Sequence, residues 1–281
     1  MIRAKGISWL GWTAFAWYLF FLLAPLAIVT ATSLASRGTY GGIEWTFSFE
    51  NFTRAFDPLY LTVLYRSILL AFFTMFACAL IGVPLAIAMA TSSARMRSVL
   101  VLLLAIPFLT NLVIRICALK SFTSYDGPLA WLLTQAGIPF EPFGLSQNGT
   151  LVSFGMISTY LPFMVFPIYG ALEKFDFSLV EAAQDLGASF VQVLFRILVP
   201  MLRAPVIAGA LLVFVPAMGE FLIPDLLGGA KTMLAGNLIS EQFLKARDWP
   251  FGSSLSVLLM VFLGLVIGFV RSFEKAKAVK Q

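Results

Sequence analysis

Three small groups of side chains in this sequence are typed and spaced to do chemistry. Glu181-Ala182-Ala183-Gln184-Asp185-Leu186-Gly187 sets two carboxylates one helical turn apart beside two alanines. Acids at that spacing share a helix face, and alanine leaves little bulk to keep another protein's backbone away. Glu220 and Asp225 stand in Met218-Gly219-Glu220-Phe221-Leu222-Ile223-Pro224-Asp225-Leu226-Leu227-Gly228-Gly229, at the edge of an apolar run. Carboxylates are costly to desolvate there and tend to face a cavity, a cation or a partner. Their charge favours a cationic ligand, and the ring faces of Tyr160, Phe163 and Trp249 suit the same ligand. Plainer roles stay open: a solvated loop or an ion pair to Arg115 for the acids, and an interfacial aromatic belt for the rings. Arg115 itself either snorkels to the interface or pairs with Glu220 or Asp225. The chain has no histidine, which removes the commonest general base and metal ligand; no catalytic residue and no metal site is expected.

The elements that position these groups follow from composition. Of 281 residues, 60% are apolar and only 12% charged, too oily for a soluble domain. The apolar runs suffice to cross a hydrocarbon core of roughly 30 Å at about 1.5 Å per residue. Six spans are read, at about 12–34, 65–90, 99–119, 150–171, 201–218 and 252–270. The expectation is an all-α polytopic membrane protein, one transmembrane domain over 1–281, without the short alternating strands of a barrel. The first run is longer than a cleavable signal core of about 7–15 residues and reads as a retained anchor. Cys78 and Cys117 fall inside spans as small core residues. Pro25, Pro84, Pro107, Pro162 and Pro167 are expected to kink their helices. Gly264 and Gly268 suggest a close helix contact, and Gly127 to Gly137 a short interfacial helix.

Lysine and arginine are richer on the side that carries both termini, with Arg95, Arg97, Lys174, Arg196 and Arg203. The other side holds most of the acids. The positive-inside rule therefore puts both termini and the Glu181 loop, about 172–200, in the cytoplasm. The basic balance is topological, and no basic face interleaved with aromatics points to nucleic acid.

That loop reads as a docking helix. Ser178 and Glu181 fit a capping box, Gly187 is placed to end the helix, and Val193, Leu194, Ile197 and Leu198 continue at helical spacing. Glu181, Ala182, Ala183, Gly187, Ile197 and Pro200, with Val199 where leucine is usual, resemble the EAA loop of ABC-importer permeases. The resemblance implies the helical permease fold of type I importers and a coupling helix seated on an ATPase subunit. The chain has no G-x-x-x-x-G-K-[ST] loop of its own, so ATP would be bound by a separate polypeptide and no cofactor by this chain. A second permease subunit, a periplasmic substrate-binding protein and the bacterial inner membrane complete the implied setting.

A narrower resemblance lies in Glu220 to Gly229, Arg247-Asp248-Trp249-Pro250, Thr110-Asn111-Leu112-Val113-Ile114-Arg115 and Leu161-Pro162-Phe163-Met164-Val165. These look like the first of the two permease subunits of spermidine/putrescine importers; Ile116-Cys117-Ala118-Leu119 departs from the aromatic-rich continuation usual there. The implied function is ATP-driven polyamine import, with other small cationic or amino-acid-derived solutes as the alternative. An ion-coupled secondary transporter would need inverted repeats and ionisable groups in mid-span; neither is evident.

Overall fold

Within hydrocarbon every backbone N–H and C=O must find an internal partner, so long apolar runs become helices. The computed structural model of the chain describes residues 7–137, 149–228 and 233–278; Gly229, at the end of the acidic segment, lies outside them. The helices are α1 Ile7–Ser33, α2 Glu50–Ala55, α3 Pro58–Thr91, α4 Ala94–Leu109, α5 Leu112–Phe122, α6 Pro128–Gln135, α7 Thr150–Leu172, α8 Ser178–Asp185 and α9 Phe190–Val193. A π turn at Leu194–Leu198 leads into α10 Val199–Gly219, followed by α11 Leu222–Leu227, α12 Ala235–Leu244 and α13 Trp249–Ala278. Ser36–Arg37 and Ile43–Glu44 form a two-residue antiparallel ladder, Ser36 opposite Glu44. Five helices are long and apolar enough to cross a membrane, Gly11–Ser33, Pro58–Thr91, Thr150–Leu172, Val191–Gly219 and Trp249–Phe273.

A sixth crossing requires α4 and α5 together, and these meet at 96°. The single span expected over 99–119 is therefore broken into two helices. Thr110 is extended, and the Asn111 side chain accepts from the Val113 and Ile114 amides, starting a new helix. A capping asparagine inside an apolar run does what hydropathy cannot register. The prolines at 25, 84, 107, 162 and 167 all lie inside helices.

Two compact units emerge, 1–62 with 238–270, and 63–237 with 271–281. In the first, the C-terminal end of α1 is fastened by the Thr32 hydroxyl donating to Ser253 Oγ at 2.8 Å and by Asn51 Nδ2 donating to Ala35 O at 2.8 Å. Asp248, 1% exposed, lies 3.2 Å from Arg54 Nη1 and 3.7 Å from Arg37 Nη1. The Arg54 guanidinium also sits 4.2 Å over the Phe251 ring. Among the described residues nothing buries the apolar stretch of α1, a surface suited to lipid. Gly264 and Gly268 have open space where a side chain would start, so the expected close helix contact is not made among the described residues.

In the second unit α7 and α10 form the main packing pair. Gly209 permits it: a Cβ there would lie 3.1 Å from the Met164 carbonyl, the close backbone approach typical of small residues between membrane helices. Met156, Met164, Val165, Ile168, Val213 and Met218 fill the core. Gly155 on α7 leaves a notch for α11, since a Cβ would meet Leu227 at 2.7 Å and Ile223 at 3.0 Å. That notch, the α4–α5 bend and α10 together hold the acid-bearing site.

Candidate functional site

The Glu181 loop is a short exposed helix. Its start differs from the capping box expected of Ser178 and Glu181. Ser178 is already inside the helix and caps nothing; instead its amide donates to Asp176 Oδ1 at 3.0 Å. Bonds from the Ser178 hydroxyl and then its amide hold the Asp176 carboxyl below the usual carboxylate range. With Asp176 closing that turn, Glu181 has no backbone donor to reach for and stays exposed, as do Ala182 and Asp185; Ala183 is half-buried. Gly187 has φ +84°. Its amide donates to Gln184 O and the Ala188 amide to Ala183 O, the pair of bonds of a Schellman stop. Leu179 and Leu186 are also exposed, Leu186 by 89%, which gives this acidic helix an apolar flank.

The outer acids behave differently from one another. α10 ends at Gly219, and Glu220 turns the chain into α11 with extended backbone. Its Oε1 accepts from the Leu222 amide at 2.9 Å and the Ile223 amide at 3.4 Å. Its Oε2 accepts from the Tyr160 hydroxyl at 2.6 Å. Among the described residues it has no cationic partner. Asp225, on α11, is exposed.

Arg115 makes neither of the ion pairs considered for it. Its Nη1 donates to Pro107 O at 2.6 Å and its Nη2 to Thr159 Oγ1 at 2.8 Å. The break at Thr110 orphans carbonyls of the last α4 turn, and the guanidinium occupies one of them, bracing the bend against α7. Tyr160 is buried, so it is not a belt residue. Its ring lies 6.1 Å from Phe163, which lies 5.3 Å from Phe108. Trp249 belongs to the other unit, 6.1 Å from the Phe243 ring, where it lines a cleft of about 420 Å³ with Tyr40, Leu244 and Arg247. The structure thus joins Tyr160, Phe163 and Glu220, braces Arg115 beside them, and leaves Asp225 in the open.

One neighbour of Glu220 was not anticipated. Asn237, in the first turn of α12, donates Nδ2 to Phe221 O at 2.8 Å, and its Oδ1 is buried without a donor. α12 gets this close because Gly236 has no side chain: a Cβ would lie 2.5 Å from Gly219 O and 2.7 Å from Glu220 O. The only hint in the sequence is the pair Gly236-Asn237 itself, small then polar.

Residues 82–273 match the family described as binding-protein-dependent transport system inner membrane component. The chain belongs to that family. The spermidine/putrescine transport system permease protein PotB of Escherichia coli (strain K12) is 41% identical over 255 residues, 91% of this chain and 93% of that one. Its counterpart in Haemophilus influenzae is 41% identical over 253 residues, 90% of this chain and 88% of that one. The inner membrane ABC transporter permease protein YdcU of Escherichia coli is 25% identical over 89% of this chain and 87% of its own. A crystal structure of a bacterial ABC transporter involved in alginate import superposes with a TM-score of 0.75 at 16% identity, covering 96% of both chains; at that identity it speaks for the fold. This permease is thus a multi-pass transport subunit of the inner membrane with the type I ABC-importer permease fold.

Proposed function

We propose that this permease carries polyamines of the spermidine and putrescine class from periplasm to cytoplasm, as one subunit of an ATP-driven importer. The observation that carries the reading is 41% identity over 91% of the chain to spermidine/putrescine permeases. The site is consistent with it: a carboxylate at the membrane boundary, held by neutral donors and lacking a counter-cation among the described residues, beside the rings of Tyr160 and Phe163. Another small cationic solute is the alternative that the same site admits.

In this reading the whole chain acts as one permease domain of six spans with both termini in the cytoplasm. Glu181, Ala182, Ala183, Asp185 and Gly187 form the coupling helix, seated in a groove of an ATPase subunit that binds the ATP. A second permease completes the pathway, and a periplasmic binding protein delivers solute to the acidic side. Glu220, Tyr160 and Phe163 contact it, Asp225 lies along its approach, and Arg115 keeps the bend in place.

Reconstitution with the ATPase, second permease and binding protein tests this directly. Proteoliposomes should accumulate radiolabelled putrescine and spermidine only with ATP, while uncharged 1,4-butanediol is not taken up. Joint charge reversal of Glu181 and Asp185 should release the ATPase from the purified complex. Concentrative uptake by the lone subunit, or uptake indifferent to solute charge, would refute the proposal.

A further inference from the structure

We propose that Glu220 and Asn237 together form the seat for one primary ammonium group of the solute. The inference rests on the polyamine reading above and adds to it a binding residue and a geometry.

The seat is made of acceptors. The Tyr160 hydroxyl and the Leu222 and Ile223 amides fix both oxygens of the Glu220 carboxylate in place. All three are neutral, so they orient the negative charge without cancelling it. Each carboxylate oxygen has two acceptor positions, and among the described residues Oε2 has one donor only, the Tyr160 hydroxyl. Asn237 is 9% exposed. Its Nδ2 is committed to Phe221 O, the carbonyl of the residue that follows Glu220, which fixes the carboxamide so that Oδ1 is the oxygen left over. That oxygen is buried without a donor, and an unmet buried acceptor costs about 1–3 kcal/mol. The fold holds it in place by packing Gly236 against the Gly219 and Glu220 carbonyls and by the Ala235 amide donating to Ser67 Oγ at 2.7 Å.

Among the described residues, a charge without a counter-ion and an acceptor without a donor, on segments packed together at Gly236, call for one kind of ligand. It is cationic and carries several N–H groups. A primary ammonium has three donors and no acceptor. It can bond Oε2 of Glu220 and Oδ1 of Asn237 and still leave one N–H for water. A quaternary ammonium carries the charge but no N–H, so it satisfies Glu220 and not Asn237.

The test is equilibrium dialysis of radiolabelled putrescine against the complete permease–ATPase complex in nanodiscs, without binding protein. A putrescine analogue with three methyl groups on each nitrogen is measured beside it. The expected result is that Asn237→Leu weakens putrescine binding about ten-fold or more, the worth of a hydrogen bond to a charged group, and leaves the permethylated analogue unchanged. The ratio of the two affinities collapses. Equal weakening of both ligands assigns Asn237 a structural role through Phe221 and overturns the inference, as does no weakening of either. If Asn237→Leu does not assemble, the same ratio is read on Asn237→Ala. Absence of putrescine binding to the wild-type complex instead sinks the polyamine reading itself, and this seat with it.

Discussion

At the scale of single residues, the site depends on what is missing at position 236. The Cβ contacts there fall on backbone oxygens, which cannot rotate away as a side chain would. Gly236→Ala should therefore push α12 off the Glu220 turn. ATP-dependent uptake should fall at least ten-fold, while the purified complex keeps its subunit stoichiometry; unaltered uptake would show that this approach is dispensable. Sequence alone could nominate Glu220, because a carboxylate at a membrane edge is expensive wherever it points. It could not pair Glu220 with Tyr160, 60 positions away, or find Asn237, whose meaning lies in a donor it lacks. The Arg54–Asp248 pair, 194 positions apart, was invisible for the same reason. Residue types limit what a group can do, but long-range partners choose what it does.

Among elements, the α8 loop was the most legible. Gly187 stops the helix because a left-handed residue is needed there and glycine takes that conformation cheaply. No atom crowds the position, so a substitution meets backbone strain alone. Gly187→Ala should cost about 1–2 kcal/mol of local helix-end stability and lower ATPase co-purification, whereas Gly187→Asn, tolerant of that conformation, should recover most of it. Equal loss in both variants would point to a contact of the glycine surface instead of its conformation. The capping box was misread because Asp176 competes for the same amide, and a local side chain two residues back wins over one three residues on. The α4–α5 break was missed for a different reason. Hydropathy averages Thr110 and Asn111 away within a long oily run, yet the asparagine oxygen captures two amides and redirects the chain.

For the whole molecule, the apolar run lengths were enough to give the helical membrane class, because the bilayer leaves a chain so few alternatives; five helices are long and apolar enough to cross, or up to six if the bent α4–α5 pair is one span. Sidedness is a separate matter and follows only from where lysine and arginine gather. A Ser178→Cys variant in a Cys117→Ala background should react with a membrane-impermeant maleimide in inside-out vesicles and stay unlabelled in intact spheroplasts. The reverse pattern would turn the molecule over and remove the coupling role of α8 altogether.

The wide turn at Leu194–Leu198 has a bearing on force. The Val199 amide reaches back five residues to Leu194 O, and Pro200, with no N–H of its own, keeps the ordinary ladder from closing there. One surplus amino acid is thereby threaded between the acidic hook and the crossing helix. Since each residue of an α-helix turns the chain by about 100°, that single insertion sets the compass bearing at which the hook leaves the shaft. Excising it would give a smoother rod with the hook aimed in another direction.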